Sequence, residues 1–224
     1  MITKKNKEFL ARFGSQSTLE NLIEDENPIV RSSIALRPHL SDDHINKLAK
    51  DYDDRIRSSI ACRKNLHPHI IDELSKDQSS VVRGDIIFHQ VLQNHHIDQF
   101  VDDHDDRIRS SIACHKNLQP HHIDKLAKDK DNFVRYYIAS HPNLQPHHID
   151  NFVNDQSNVV RKGVSKNLSL QPHHIDKLVN DKSLGVIDTI VNHPSLQRHH
   201  AEILAKNDDP LVSRLARKRL EEFK

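Results

Sequence analysis

A 26-residue period runs through this chain of 224 residues almost from end to end. Val30, Ile56, Val82, Ile108, Val134, Val160, Val186 and Val212 fall on one rung of it. Arginine follows six of these rungs, as Arg31, Arg57, Arg83, Arg109, Arg135 and Arg161. Six residues before each arginine stands an aspartate: Asp25, Asp51, Asp77, Asp103, Asp129 and Asp155. A fixed period without insertion belongs to proteins whose repeats bury their apolar faces on their neighbours. It overrides the chain length, which alone would allow one or two globular domains.

Each period reads as two short helices. Leu118–Asp129 shows the first most clearly, with Pro120 at the opening helical position, where its missing N–H costs nothing. Ile123, Leu126 and Ala127 follow at the spacing that paints one helical face. Ser41 is a favoured cap for one copy, while His67 and the glutamines of the other copies are weaker ones. The second helix starts near the valine rung and closes around Pro38, Lys64, Lys116 or Pro142. At about 100° per residue, Val30, Ile34 and Ala35 share one side, and Arg31 lies between them in angle. Ser32, Ser33, Leu36 and Arg37 point away. A charged side chain on a packed face needs a partner. The aspartate column supplies it, so the couples Asp25/Arg31 through Asp155/Arg161 are expected to be structural and to staple adjacent repeats.

The ends depart from the pattern. Residues 8–25 fit only the first-helix half, with Leu19, Leu22 and Asp25 in register. Toward the other end Ile187 replaces the arginine, which leaves Asp181 without its expected mate. One repeat later Asn207 and Ser213 replace both members. The chain is therefore expected to be one domain over 1–224. Residues 1–25 form an N-terminal half-repeat cap, 26–207 the tandem repeats, and 208–224 a C-terminal capping helix.

The pattern Asp-x-x-x-x-Val/Ile-Arg-x-x-Ile/Val-Ala, preceded by a Pro-x-x-x-x-x-Leu helix, resembles the HEAT repeat. At this short period it also resembles the variant leucine-rich repeat, to which the turn from Asn143 to Ile149 is closer. The resemblance covers roughly residues 15–216. It implies an all-α fold, a right-handed superhelix (solenoid) of about eight 26-residue two-helix repeats, in which the aspartate and arginine columns are structural. Some variant leucine-rich proteins carry a cysteine-rich iron–sulfur segment; nothing in this sequence matches it, and no cofactor is expected.

Composition narrows the function classes. The formal charge is +1, from 33 basic and 32 acidic side chains, so no global field draws the chain to nucleic acid or membrane. Cys62 and Cys114 share one register two repeats apart, about 20 Å at the usual helix spacing and too far for a disulfide. Met1–Lys7 lacks the apolar stretch of a signal peptide. A reducing, cytoplasmic setting without membrane attachment is expected.

Histidine is the anomaly, at 19 residues, with tandem pairs at His95/His96, His121/His122, His147/His148, His173/His174 and His199/His200. Adjacent residues on a helix diverge by about 100°, and no acidic residue joins these pairs in a recognisable ligand motif. They are expected to face solvent or pack turns, with no metal site. No nucleophile motif, Gly-rich phosphate loop or His-Glu-x-x-His pattern appears, so no catalytic residue is assigned. The outward face of the second helices is the candidate contact surface. Phe88, Tyr136 and Tyr137 are bulky where neighbouring repeats are small, and Asp85, Arg37, Arg63, His89 and His115 lie beside them. Aromatics and arginine are common anchors of protein interfaces. The expectation is a non-catalytic module that binds a protein or peptide, as adaptor or inhibitor. Nucleic-acid binding, as in the HEAT-like alkylpurine DNA glycosylases, and self-assembly through the end caps are the alternatives.

Overall fold

The computed structural model describes residues 4–223, so the first three residues of the expected N-terminal cap, and Lys224, lie outside the described residues. Among them are seventeen helices and no strand. The helices are α1 (Lys4–Phe13), α2 (Gln16–Leu22), α3 (Pro28–Ala35), α4 (Asp42–Leu48), α5 (Asp54–Ala61), α6 (Pro68–Leu74), α7 (Ser80–His89), α8 (Asn94–Val101) and α9 (Asp106–Ala113). They continue as α10 (Pro120–Leu126), α11 (Asn132–Ala139), α12 (Pro146–Phe152), α13 (Asn158–Val164), α14 (Pro172–Leu178), α15 (Leu184–Ile190), α16 (Arg198–Leu204) and α17 (Pro210–Glu221). Even-numbered helices from α2 to α16 are the first helices of the repeats, and odd-numbered ones from α3 are the second. Among the described residues no helix is long and apolar enough to cross a membrane.

Such short helices are marginal alone, because nucleation is costly. Their stability comes from the buried face. The rung residues Val30, Ile56, Val82, Val134 and Val160 are at most 1% exposed, as are Ile34, Ile60, Ile86, Ile112 and Ile138 four residues on. The start signals are local. Pro68, Pro120, Pro146 and Pro172 open first helices. Asp53, Asp105, Asp131 and Asp209 accept from backbone N–H groups as caps of second helices. Asn65 closes one turn at φ 58°, a left-handed conformation that asparagine tolerates better than most residues.

The contacts fall into two units, Met1–Gln99 and Phe100–Lys224. In the first, α1, α3, α5 and α7 pack side by side. In the second, α9, α11, α13 and α15 do the same, and α16 packs on α17. The two ends differ from the repeats between them. The N-terminal cap is more than a half-repeat, because α1 precedes the first-helix-like α2 and packs on α3 as a second helix would. The final helix buries Val212 and Ala216, while Leu211 stays exposed.

Candidate functional site

Where the first helix of a repeat turns into the second, the arginines lie buried, as their helical phase requires. Arg31, Arg57, Arg83, Arg109 and Arg135 are 3–8% exposed. Their partners differ from the expected couples. Arg135 Nε and Nη2 donate to both carboxylate oxygens of Asp155, at 2.8 and 3.0 Å. This is the aspartate of the following repeat, 20 residues on. Asp129, the expected mate, contributes only its backbone carbonyl, which accepts from Arg135 Nη1 at 2.8 Å. The same arrangement joins Arg31 to Asp51, Arg57 to Asp77, Arg109 to Asp129 and Arg161 to Asp181. Arg83 donates to the carbonyls of Asp77 and Gln78.

Each couple thus staples one repeat to the next with the phase shifted by one copy. The shift corrects the reading of both ends. Asp181 has its arginine, Arg161, and Asp25 takes the Lys7 ammonium at 2.5 Å in place of one. The aspartates also hold their own turns, Asp155 accepting from Ser157 N at 2.8 Å. Asn207 keeps that turn bond, to Asp209 N, opposite a repeat whose arginine has become Ile187. Bidentate pairing raises the affinity of Arg31, Arg57, Arg109, Arg135 and Arg161 for their protons. Burial alone would raise Asp129 and Asp181; the hydrogen bonds from Arg109 and Arg161 and from backbone N–H groups outweigh it, and both carboxyls sit below their usual range.

The opposite turn, where a second helix gives way to the next first helix, holds the histidine pairs. Here the two rings divide between solvent and turn, and one expectation fails. The second histidine of each pair is buried: His96, His122, His148, His174 and His200 are at most 4% exposed. An acidic residue also joins the pairs. His148 Nδ1 accepts from Gln145 N at 3.1 Å, closing the first turn of α12 as a capping-box residue does. Its Nε2 donates to Asp124 Oδ1 of the preceding repeat at 2.8 Å. His96, His174 and His200 repeat this with Asp72, Asp150 and Asp176. The first histidine stays exposed and lies tilted against the second, ring centroids 3.8–3.9 Å apart in the five tandem pairs. Side chains bending back along the helix overcome the angular divergence of adjacent positions.

These groups bring two imidazoles and a carboxylate together, but the chemistry points away from a metal. The backbone N–H on Nδ1 fixes the buried ring's proton on Nε2, the atom that faces the aspartate, so it has no lone pair to offer there. Burial lowers the pKa of His96, His148 and His200 and keeps these rings neutral.

The outward face of the second helices divides in two. Arg37 and Arg63, nominated for a partner, are spent on the chain itself. Arg37 donates to the carbonyls of Ala11 and Gly14, and Arg63 to those of Ala35, Arg37 and Pro38. In the other unit His141, Asn167 and His193 each reach the carbonyl of the column member 26 residues earlier. His115 is half-buried, its Nδ1 accepting from Asn117 N, and burial lowers its pKa. Tyr136 folds back over the next repeat: a Cβ at Gly163 would lie 2.9 Å from its ring, and Lys166 Nζ donates to its hydroxyl at 2.8 Å. Tyr137 remains 39% exposed. Asp85 accepts from Ser58 Oγ at 2.5 Å. Phe88 and His89 are exposed, and Leu36, one member of the Phe88 column, is as exposed as Phe88 itself at 71%. A cleft of about 570 Å³ lined by Phe13, Leu36, Arg37, Pro38 and His39 adjoins Leu36.

Stacked helix pairs tied by two interrepeat ladders define an all-helical repeat fold. The chain is similar in fold to a solved structure described as a leucine-rich repeat variant with a novel repetitive protein structural motif. The two are 20% identical, with a TM-score of 0.71 over 96% of this chain and 83% of that one. No protein-family model and no curated protein matches the sequence.

Proposed function

We propose that this chain is a non-catalytic binding module that takes an extended peptide along the exposed column of its second helices. The supporting observation is the exposure of Leu36 and Phe88, each at 71%, in one column of a face whose neighbouring arginines are engaged internally. Phe13, 64% exposed, lines the same cleft as Leu36, and contiguous exposed apolar surface is the kind of feature that marks a contact surface. The cleft beside Leu36 has room for an apolar anchor residue. Internal use of Arg37 and Arg63 removes two of the cations that a phosphate backbone would need. The module acts as an adaptor or inhibitor in the cytoplasm, where its two free thiols stay reduced.

Selection of a random-peptide display library on the purified chain tests this. Enriched peptides are expected to carry apolar or aromatic anchors, and to bind the Leu36→Ala/Phe88→Ala variant at least about tenfold more weakly, a change worth about 1.4 kcal/mol. Circular dichroism should show unchanged helix content. No enrichment, or equal binding to the variant, would overturn the proposal; so would steeply salt-dependent capture of a DNA duplex.

A further inference from the structure

The side-chain-to-carbonyl ladder of the outward face breaks at His89. Arg63, His141 and His193, in the same register, reach back to the preceding repeat, whereas His115 accepts from Asn117 N. Helix α7 runs to His89, further along its repeat than α3 or α5 do along theirs. That extension hands the task to Gln90, whose Nε2 donates to the carbonyls of Ala61 and Arg63 at 2.7 Å each. His89 is released to the surface. There its imidazole meets Asp85, one helical turn earlier on α7, and Cys62, the C-cap residue of α5. One ligand atom from each of the three lies within 4.8 Å of the others.

We infer that Cys62, Asp85 and His89 form a binding site for a zinc-like divalent transition metal. Thiolate, imidazole and carboxylate are the three donor types zinc takes from proteins, and three protein ligands leave a fourth position for water. Asp85 and His89 are four apart on one helix, so they present to the same side. Ser58 Oγ donates to Asp85 Oδ2, which orients the carboxylate and leaves Oδ1 for the ion. On binding, the metal–sulfur bond forms as the Cys62 S–H bond breaks, its proton leaving to solvent.

Cys114 shows that the cysteine alone does not make the site. It occupies the same register in the other unit, where its thiol donates to Ser110 O. The matching positions one repeat on are Tyr137, which is no zinc ligand here, and His141, which is buried against a carbonyl. This inference stands apart from the peptide reading.

Cobalt(II) titration of the chelator-treated full chain provides the test, because thiolate-to-cobalt charge transfer reports sulfur in the coordination shell. One equivalent of cobalt should develop that absorption, and zinc should displace it. Cys62→Ser should abolish the band and His89→Ala should weaken binding. Ser58→Ala should lower affinity by about 10- to 100-fold. Cys114→Ser should leave the titration unchanged, with circular dichroism confirming that each variant is folded. The inference fails if no cobalt binds, if cobalt binds without the thiolate band, or if the band survives Cys62→Ser.

Discussion

At the turn from first helix to second, Arg135 is gripped by Asp155, and the pair is only 10–11% exposed at its side chains. At the turn from second helix to first, His148 meets Asp124, and there the imidazole is 5% exposed but the carboxylate 53%. Both edges tie one repeat to its neighbour. The first does so with charge in a nearly dry setting, the second with a neutral ring whose acceptor keeps most of its hydration. Removing a member should therefore cost far more at the arginine edge, where the survivor is left charged and buried, than at the histidine edge, where water can replace the lost partner.

Arg135→Ala is the harshest way to challenge that contrast. It strands the Asp155 carboxylate and two backbone carbonyls, and should destabilise the chain by about 3–5 kcal/mol in urea unfolding. The paired replacement Arg135→Met/Asp155→Leu removes both charges and should cost much less than the single change. A single change under about 1 kcal/mol would show that the edge is wetter than its geometry implies.

His148→Ala comes next. It removes an acceptor from Gln145 N and a donor to Asp124, and should cost about 1–2 kcal/mol, the range of a lost helix cap. His147→Ala, at the exposed partner ring, should stay within about 0.5 kcal/mol. If the two variants proved equal, burial of the second ring would not be what secures this edge.

Acid should separate the edges in pH as well. His96, His148 and His200 have folded pKa values pushed down, chiefly by burial. The unfolded chain therefore protonates first as pH falls past about 6.5. Their stability contribution is complete above that point and drains away as pH drops through the lowered folded values. Asp129 and Asp181 are also depressed, so their contribution persists until pH falls below about 4 and through their own folded values. The urea midpoint should fall in two stages. His148→Gln, which keeps an acceptor at the capping-box position, should shrink the upper stage and leave the lower one.

The two edges were also unequally legible in the sequence. The 26-residue period and the inward phase of the rung give the repeat class and the burial of the arginines directly. Periodicity alone cannot fix which aspartate an arginine takes, because every copy offers the same choice. The signal lies where the pattern breaks: Ile187 and Asn207 change together while Asp181 persists, which selects the 20-residue pairing seen at Arg161. The histidine edge carries the same kind of mark, since Asn46 replaces the aspartate one repeat before Ile70 replaces the buried histidine. The second histidine of Gln-Pro-His-His also occupies the third helical position, where a capping-box acceptor belongs. The outward face was least legible. Helical angle places Arg37, Arg63 and Tyr136 outside, but long side chains fold back to neighbouring carbonyls or over Gly163, which angle does not register.

The natural break gives the mildest and most specific test of the shifted phase. Ile187 is 5% exposed and faces a turn kept by Asn207 without a charge. Ile187→Arg alone buries a guanidinium with no carboxylate and should destabilise the chain. Adding Asn207→Asp supplies both oxygens at the spacing used by Arg161 and Asp181, and preserves the turn bond to Asp209 N. The double variant should recover part of the loss, with a coupling of about 1 kcal/mol in a double-mutant cycle. With Asp181 left in place, Ile187→Arg alone should find no rescue there, because the aspartate six residues before an arginine offers it only a carbonyl. Rescue through Asp181 instead would return the ladder to the in-repeat couples that the period first suggests.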